Sequence, residues 1–278
     1  MISFTKAHAC GNDFLIVTED AAGSRDWSAL TRELCARNTG VGADGVEFFR
    51  WTGDRSGKIR LHNADGSIAE ISGNGTRCVA AWMAQEVSAQ AGDVLKIETD
   101  AGVRGCRVNA VQNTNGYTID VTTGMGVPRF GPRTVTIPGG VQVDGVEVST
   151  GNPHFVIFVE DAEFKVDGQK WQSIGQQICG HPDFPYGTNV EFVRVLNPAE
   201  IEIRIFERGV GPTTSSGTGT SACSVAAIAL RGCSSPLTVT APGGAQTVNW
   251  AGPQEELELT GPASLIARGE AWTSEAHG

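Results

Sequence analysis

Two short stretches, Ser72-Gly73-Asn74-Gly75-Thr76 and Ser216-Gly217-Thr218-Gly219-Thr220, each open a long apolar segment that is rich in alanine. A segment that is apolar on all sides predicts a helix buried in a protein core. The first N–H groups of a helix have no acceptor within it and lie at the positive end of its dipole. Glycine at such an end lets an anion approach the backbone closely. Two such ends, each led by a serine hydroxyl, therefore predict one anionic ligand held between two helix N-termini.

The chain also repeats three motifs in the same order, two of them at a spacing of 144 residues. Val46-Glu47-Phe48 returns as Val190-Glu191-Phe192, and the serine-led turn at 72 returns at 216. Gly11-Asn12-Asp13-Phe14 returns as Gly151-Asn152-Pro153-His154-Phe155, with one inserted residue. Repeats in one order predict two structurally similar halves. Because the repeated pieces are polar loop residues, they favour a shared binding site over a packing repeat.

Other patterns predict the elements between these motifs. Asp26 is expected to cap a helix that runs through Leu34, and residues 171–179 form a further predicted helix. Alternating apolar residues predict strands over 2–9, 14–18, 46–49, 58–62, 94–123, 201–206, 237–241, 247–250, 257–260 and 265–267.

Composition excludes several classes of partner. A net charge of -10 and a pI near 5 argue against binding to nucleic acid or to an anionic membrane surface. The sequence shows neither an apolar run of membrane-spanning length nor a signal-peptide core, so a cytoplasmic protein is expected. Seven cysteines without a CxxC motif indicate free thiols in a reducing compartment, with no disulfide framework or zinc site.

In order and spacing, the motifs resemble those of the diaminopimelate epimerases. Residues Lys6-Ala7-His8-Ala9-Cys10-Gly11-Asn12-Asp13-Phe14 resemble the opening motif of that family. Asn63-Ala64-Asp65-Gly66-Ser67, followed by the first glycine-rich turn, resembles its first catalytic segment. Gly151-Asn152-Pro153-His154, Gly187-Thr188-Asn189-Val190 and Glu207-Arg208-Gly209 match the remaining motifs, so the resemblance spans nearly the whole chain.

The resemblance implies an α+β fold of two pseudo-symmetric domains. Each would be a β-barrel-like sheet around a central helix, with the active site in the cleft between the domains. We expect residues 1–120 and 264–278 to form the domain that carries Ser72, and residues 121–263 to form the domain that carries Ser216. Exposed sheet edges in such a fold favour a homodimer.

The implied activity is the stereoinversion of LL- to meso-2,6-diaminopimelate by proton transfer between two bases, in the route to lysine and peptidoglycan. No cofactor and no metal are expected, and the partner is the small amino-acid substrate. The residues implied to bind that substrate are Asn12, Asn63, Gly73, Asn74, Asn152, His154, Asn189, Glu207, Arg208, Gly217 and Thr218.

The two base positions depart from the family pattern, in which both are cysteine. They are Ser72 and Ser216 here, and Pro212 stands where the family usually has glutamate. A thiol at a helix N-terminus has a depressed pKa, whereas a hydroxyl needs a neighbouring base before it can act. Three interpretations follow: a natural serine variant that is helped by a neighbour such as His154 or acts on another substrate, an engineered double Cys→Ser form, or a homologue that binds amino acids without catalysis. An elimination that needs one base, as in a dehydratase, is a further alternative.

Four other residues have simpler interpretations. Asp13 and Asp65 are expected to form turns by bonding to their own backbone. Cys78 and Cys223 lie inside the apolar segments and are expected to be structural.

The change at Pro212 and the serine-rich context before Gly217 favour a natural variant with serine at positions 72 and 216 over an engineered one.

Overall fold

A computed structural model describes residues 1–113 and 116–274 of the chain. The backbone divides into two units, one made of Met1–Thr123 with the chain from Gly261 onward, the other of Gly124–Thr260. Residues 275–278, which the sequence assigns to the first domain, lie outside the described residues. Each unit is a sheet with a buried helix against it, which confirms the predicted α+β class.

The elements of both units are numbered in chain order. The strands are β1 (Ile2–Ala9), β2 (Asn12–Thr18), β3 (Gly45–Gly53), β4 (Ser56–Asn63), β5 (Ile68–Ala69), β6 (Val94–Thr99), β7 (Gly102–Gln112), β8 (Tyr117–Gly124), β9 (Arg129–Ile137), β10 (Val141–Ser149), β11 (Pro153–Phe158), β12 (Asn189–Asn197), β13 (Glu200–Glu207), β14 (Gly211–Thr213), β15 (Leu237–Ala241), β16 (Gly244–Asn249) and β17 (Glu258–Ala271). The helices are α1 (Glu19–Ala22), α2 (Trp27–Cys35), α3 (Gly73–Glu86), α4 (Trp171–Cys179) and α5 (Gly217–Arg231). None of the described helices is long and apolar enough to cross a membrane.

In the first unit, eight strands pair in a closed ring. The order is β1, β2, β3, β4, β6, β7, β8 and the later residues of β17, which pairs with both β8 and β1. The β2–β3 and β4–β6 pairs are parallel. A closed ring leaves no edge strand among its members, so every one of these strands has a partner on both sides.

Helix α3 fills the interior of this ring. Its first twelve residues, 73–84, are all buried, and they pack with inward side chains of the surrounding strands. Small residues such as Ala80, Ala81 and Ala84 let the strands approach the helix closely. The all-round apolar pattern that predicted a buried helix is therefore confirmed.

Strand β3 shows how the ring is covered on its outer face. Val46 and Phe48 pack outward against α1 and α2, while Phe49 packs inward with the α3 cluster. Asp26 caps α2 by accepting hydrogen bonds from the N–H groups of Ser28 and Ala29, as predicted. Because side chains alternate along a strand, Glu47 points inward like Phe49.

The second unit repeats this arrangement. Strands β9, β10, β11, β12, β13, β15, β16 and the first residues of β17 pair in that order, with β11–β12 and β13–β15 parallel. Helix α5 packs against the inner side chains, with residues 217–227 buried, and α4 packs on the outer face of the sheet. The predicted helix over 171–179 is confirmed, and the predicted strand region over 94–123 is three strands, β6 to β8.

Truncating Met83 in the middle of α3 is expected to destabilise the protein. Met83 is fully buried, so Met83→Ala should leave a cavity and lower the free energy of unfolding by about 2–5 kcal/mol. Val103→Ala, at a position that is 63% exposed, is the control and should change it by less than about 0.5 kcal/mol. Denaturant midpoints measure both. Equal midpoints for the two variants would contradict a helix packed inside the ring.

Candidate functional site

The two repeated serines are the N-cap residues of the buried helices. Ser72 Oγ accepts a hydrogen bond from Gly75 N at 3.0 Å, and Ser216 Oγ accepts one from Gly219 N at 3.2 Å. Each hydroxyl thus satisfies one N–H group of the first helical turn. A helix start carries the positive end of the helix dipole, so the backbone after each serine suits an anion.

Strand register brings two polar residues of the first unit, Asn12 and Asn63, to one end of its sheet. Gly45 pairs with Phe14 on one side and with Asn63 on the other, and Asn12 begins the same strand as Phe14. The Asn74 side-chain amide donates to Asn12 Oδ1 at 3.2 Å, so Asn12 lies at the N-terminus of α3. We call Asn12, Asn63, Ser72, Gly73 and Asn74 the first half-site.

A chain of charged groups fixes the amide of Asn12. Its Nδ2 donates to Asp44 Oδ2 at 2.6 Å, and Asp44 pairs with Arg37 at 2.7 Å. On the other side, Arg77 Nη2 donates to Asn74 Oδ1 at 2.5 Å, and Arg77 is fully buried. The side-chain amides of Asn12 and Asn74 are therefore each held in one orientation.

The two aspartates that were expected to form turns behave differently. Asp65 accepts bonds from the backbone N–H and the hydroxyl of Ser67, which confirms the expectation. Asp13 instead pairs with Arg37 at 2.8 Å and with Lys6 at 3.0 Å, so its predicted turn role is wrong. Burial opposes ionisation of Asp13, but the hydrogen bonds from Arg37 and Lys6 hold the pKa of its carboxyl below the usual value.

The second unit places its polar residues at the equivalent end of its sheet. His154 pairs with Asn189 across the parallel strands β11 and β12. Asn189 Oδ1 accepts a hydrogen bond from the backbone N–H of Arg208 at 2.9 Å. This bond fixes the backbone just after Glu207, at the end of β13. The Arg208 guanidinium donates to Tyr186 O at 2.7 Å. The second half-site comprises Asn152, His154, Asn189, Glu207, Arg208, Ser216, Gly217 and Thr218.

A buried hydrogen-bonded chain crosses the second half-site. His154 Nδ1 lies 2.7 Å from Glu191 Oε1, and its Nε2 lies 2.9 Å from Asn152 Oδ1. Asn152 Nδ2 donates to Thr218 Oγ1 at 3.3 Å, and that hydroxyl lies 3.4 Å from Ser216 Oγ. Both ring nitrogens of His154 therefore have a partner, and the chain runs from Glu191 to the neighbourhood of Ser216.

Glu191 has an equivalent in the first unit, Glu47. The sequence shows the two glutamates only as the middle residues of the repeated Val-Glu-Phe motif. Glu47 lies between Ile16 and Leu61 in register, as Glu191 lies between Val156 and Ile205. Both glutamates are fully buried. His154 pairs with Asn189 in the second unit, and the equivalent pair in the first unit is Phe14 with Gly45. The histidine beside Glu191 is therefore replaced by a phenylalanine at the equivalent position beside Glu47.

The carboxyl of Glu47 lies under the first turn of α3. A Cβ built on Gly75 would come within 2.1 Å of Glu47 Oε1 and within 3.2 Å of Ser72 Cβ. Among the described residues, neither oxygen of this carboxyl has a hydrogen-bond partner. Burial raises the pKa of Glu47 to about 8. The sequence signal for this buried carboxyl is a glutamate within the predicted strand 46–49, whose other residues are apolar.

The cysteines in the two buried helices fit a structural role. Cys78 and Cys223 are fully buried, and burial raises the pKa of both thiols. All seven cysteines lie in the described residues, and each is a free thiol. The departure at Pro212 is on the short strand β14, where its side chain is exposed.

Comparison with known sequences matches nearly the whole chain. The family described as "Diaminopimelate epimerase" matches residues 4–130 and 146–266. A diaminopimelate epimerase of Halothermothrix orenii is 36% identical over 286 residues, covering 97% of each chain. One from Thermosynechococcus vestitus is 37% identical over 294 residues, covering 96% of this chain and 98% of the relative.

Solved structures with the same fold are more distant in sequence. A predicted epimerase from Pseudomonas aeruginosa superposes with a TM-score of 0.72 at 14% identity, covering 99% of this chain and 100% of its own. A hydroxyproline epimerase from Agrobacterium vitis, with bound trans-4-hydroxy-L-proline, gives 0.70 at 16% identity and covers 97% and 91%. At these identities the likeness concerns the fold.

Removing His154 is expected to destabilise the second unit, because it leaves the buried Glu191 carboxyl without its partner. His154→Ala should lower the free energy of unfolding by about 3–5 kcal/mol, measured by denaturant unfolding. Adding Glu191→Leu should recover part of that loss, since it removes the carboxyl that His154→Ala leaves unpaired. His181→Ala, at a partly exposed histidine, is the control for loss of an imidazole. Failure of the second change to recover any stability would contradict the pairing.

The raised pKa of Glu47 predicts a pH dependence of stability. Because the folded-state pKa lies above the ordinary 4.5, the neutral carboxyl favours the folded state below pH 4.5, and this contribution is lost as pH rises to about 8. Glu47→Gln should therefore gain stability relative to wild type between these values, by on the order of 1 kcal/mol per pH unit. Denaturant midpoints at pH 5 and pH 8 measure it, with the exposed Glu98→Gln as control. Parallel pH profiles would count against the assignment.

Proposed function

Because this chain belongs to the diaminopimelate epimerase family, we propose that it interconverts LL- and meso-2,6-diaminopimelate by two-base proton transfer, with Ser72 and Ser216 as the two bases. It is a pyridoxal-independent isomerase of diaminopimelate epimerase type. The observation that carries the serine assignment is that both residues are N-caps of equivalent buried helices, 144 positions apart in the repeat.

Inversion at a carbon needs one group on each face, one to remove the proton and one to return it. As the α-proton leaves, negative charge grows on the adjacent carboxylate of the substrate. The N–H groups of Gly73 and Asn74, and those of Gly217 and Thr218, begin helices whose dipoles favour that charge. In this proposal the small residues at these ends allow the carboxylate to approach the backbone.

The remaining polar groups are proposed to hold the rest of the substrate. Their amide, carboxylate and guanidinium groups suit the amino and carboxylate groups of a diamino dicarboxylate. The proposed ligands are Asn12, Asn63, Asn152, Asn189, Glu207 and Arg208. His154 is fully buried with both ring nitrogens engaged, so in this proposal it acts by orienting Asn152.

A serine base requires help, because a hydroxyl is far less acidic than a thiol. In the second half-site, hydrogen bonds join Ser216 through Thr218 and Asn152 to the His154–Glu191 pair. The amide of Asn152 does not titrate, so this chain orients the groups rather than conducting a proton along its length.

Deuterium incorporation at the α-carbon in heavy water tests the proposal. Wild-type protein should exchange the α-proton of LL- and meso-diaminopimelate, measured by mass spectrometry and NMR. Ser72→Ala and Ser216→Ala should each reduce epimerisation by about 10²–10⁴-fold, the usual contribution of a general acid or base. Ser221→Ala, at a buried serine one turn into α5, is the matched control and should retain activity.

Other outcomes would change the assignment. Exchange that appears only in the Ser72→Cys, Ser216→Cys double variant would mean an epimerase site that lacks working bases. Binding of diaminopimelate without exchange in any form would favour the non-catalytic amino-acid-binding alternative. Exchange with retention, or elimination from a hydroxylated amino acid, would favour a one-base reaction.

A further inference from the structure

Asp44, which lies immediately before β3, is bonded to two segments of the first half-site. Its Oδ2 accepts hydrogen bonds from Asn12 Nδ2 at 2.6 Å and from the backbone N–H of Asp13 at 3.1 Å. Its backbone N–H donates to Asp13 O, and its backbone oxygen accepts from the N–H of Ala64, both at 2.9 Å. One residue therefore holds both the turn that carries Asn12 and the turn that follows Asn63.

The hydrogen bonds around Asn12 give its side-chain amide one sense. The Asp44 carboxylate only accepts hydrogen bonds, so it faces the nitrogen of Asn12. A guanidinium only donates, so Arg77 faces the oxygen of Asn74, at 2.5 Å. The nitrogen of Asn74 then donates to the oxygen of Asn12, at 3.2 Å. Because this series has an acceptor at one end and a donor at the other, neither amide can turn over without placing two donors or two acceptors against each other.

The second half-site orients its equivalent asparagine in a different way. Asn152 turns its oxygen to His154 Nε2 at 2.9 Å and its nitrogen to Thr218 Oγ1 at 3.3 Å. Toward its helix start, this amide presents a nitrogen where the amide of the first half-site presents an oxygen. Thr188 stands 144 positions after Asp44, so the second half-site has a hydroxyl where the first has a carboxylate. Each half-site therefore has its own orienting residue.

We propose that Asp44 is a positioning residue that orients Asn12 for the substrate. This inference rests on the proposed function, in which Asn12 holds part of diaminopimelate. A substrate ammonium only donates hydrogen bonds and a substrate carboxylate only accepts them, so the sense of an amide decides which of the two it can bind. Because Asp44 fixes that sense before the substrate arrives, less conformational entropy is lost on binding. Arg37 pairs with Asp44 at 2.7 Å and holds its carboxylate in turn.

The isosteric change Asp44→Asn tests this role through substrate binding. The new amide can present an N–H to the nitrogen of Asn12, so the sense of Asn12 is no longer fixed. Loss of this charge-assisted hydrogen bond should raise the Kd and the KM for diaminopimelate by about 10–100-fold. The change in kcat should be smaller, because Asn12 is proposed to hold the substrate in the ground state and the transition state alike. Calorimetry measures the Kd, and the deuterium-exchange assay measures KM and kcat.

Two further variants separate this effect from a loss of stability. Asp93→Ala is the matched control, since Asp93 also accepts a backbone N–H, that of Gln90 at 2.9 Å, and pairs with Arg55 at 2.6 Å. It should lower the denaturant midpoint and leave Kd and KM unchanged. Arg37→Ala, at a side chain that is 58% exposed, is a milder change than Asp44→Asn and should raise the KM by up to about 5-fold.

A double-mutant cycle with Asn12→Ala shows whether Asp44 acts through Asn12. If it does, Asp44→Asn should add little to the rise in KM once the Asn12 amide is absent. Additive effects of the two changes, or an unchanged KM and Kd in both Asp44→Asn and Arg37→Ala, would overturn the role of Asp44. Absence of both binding and exchange in the wild-type protein would instead overturn the proposed function, so the two failures are distinguishable.

Discussion

Each half of this protein depends on one constraint, the burial of a whole helix inside a sheet. A helix that is surrounded by strands must be apolar on every side, and its N–H groups can remain unsatisfied only at its first turn. Helices α3 and α5 meet this requirement with alanine-rich segments and serine caps. The polar chemistry of each half is consequently concentrated at the helix start, where the ends of the surrounding strands also bring their polar residues.

The two halves use this constraint in different ways. In the second unit, a histidine, an asparagine and a threonine link the buried Glu191 to the neighbourhood of Ser216. In the first, neither oxygen of the buried Glu47 carboxyl has a hydrogen-bond partner among the described residues, and Asn12 instead donates to Asp44, which pairs with Arg37. The two halves thus share the scaffold and a buried carboxyl, and they differ in the residue that stands beside that carboxyl.

Much of this arrangement could be predicted from the sequence because its signals are local. The alanine-rich segments and the Asp26 cap each depend on neighbouring residues, and the repeat with a spacing of 144 residues consists of short motifs that can be compared directly. The pairing of Asp13 with Arg37 and Lys6 could not be predicted in this way, because it joins residues brought together by folding. The isolation of Glu47 depends on strand register, which places Phe14 where the other half has His154, and no single stretch of sequence reveals it.

The last strand, β17, has a consequence for how the chain is assembled. Its first residues pair with β16 in the second unit, and its later residues pair with β1 at the other end of the sequence. The N-terminal ring therefore cannot close until the chain has been synthesised through Ala271, although β1 is made before the other strands of the ring. The second unit, which is continuous from Gly124 to Thr260, has all of its residues available earlier. The second unit therefore has all of its residues before the first unit does, although synthesis of the first unit begins earlier.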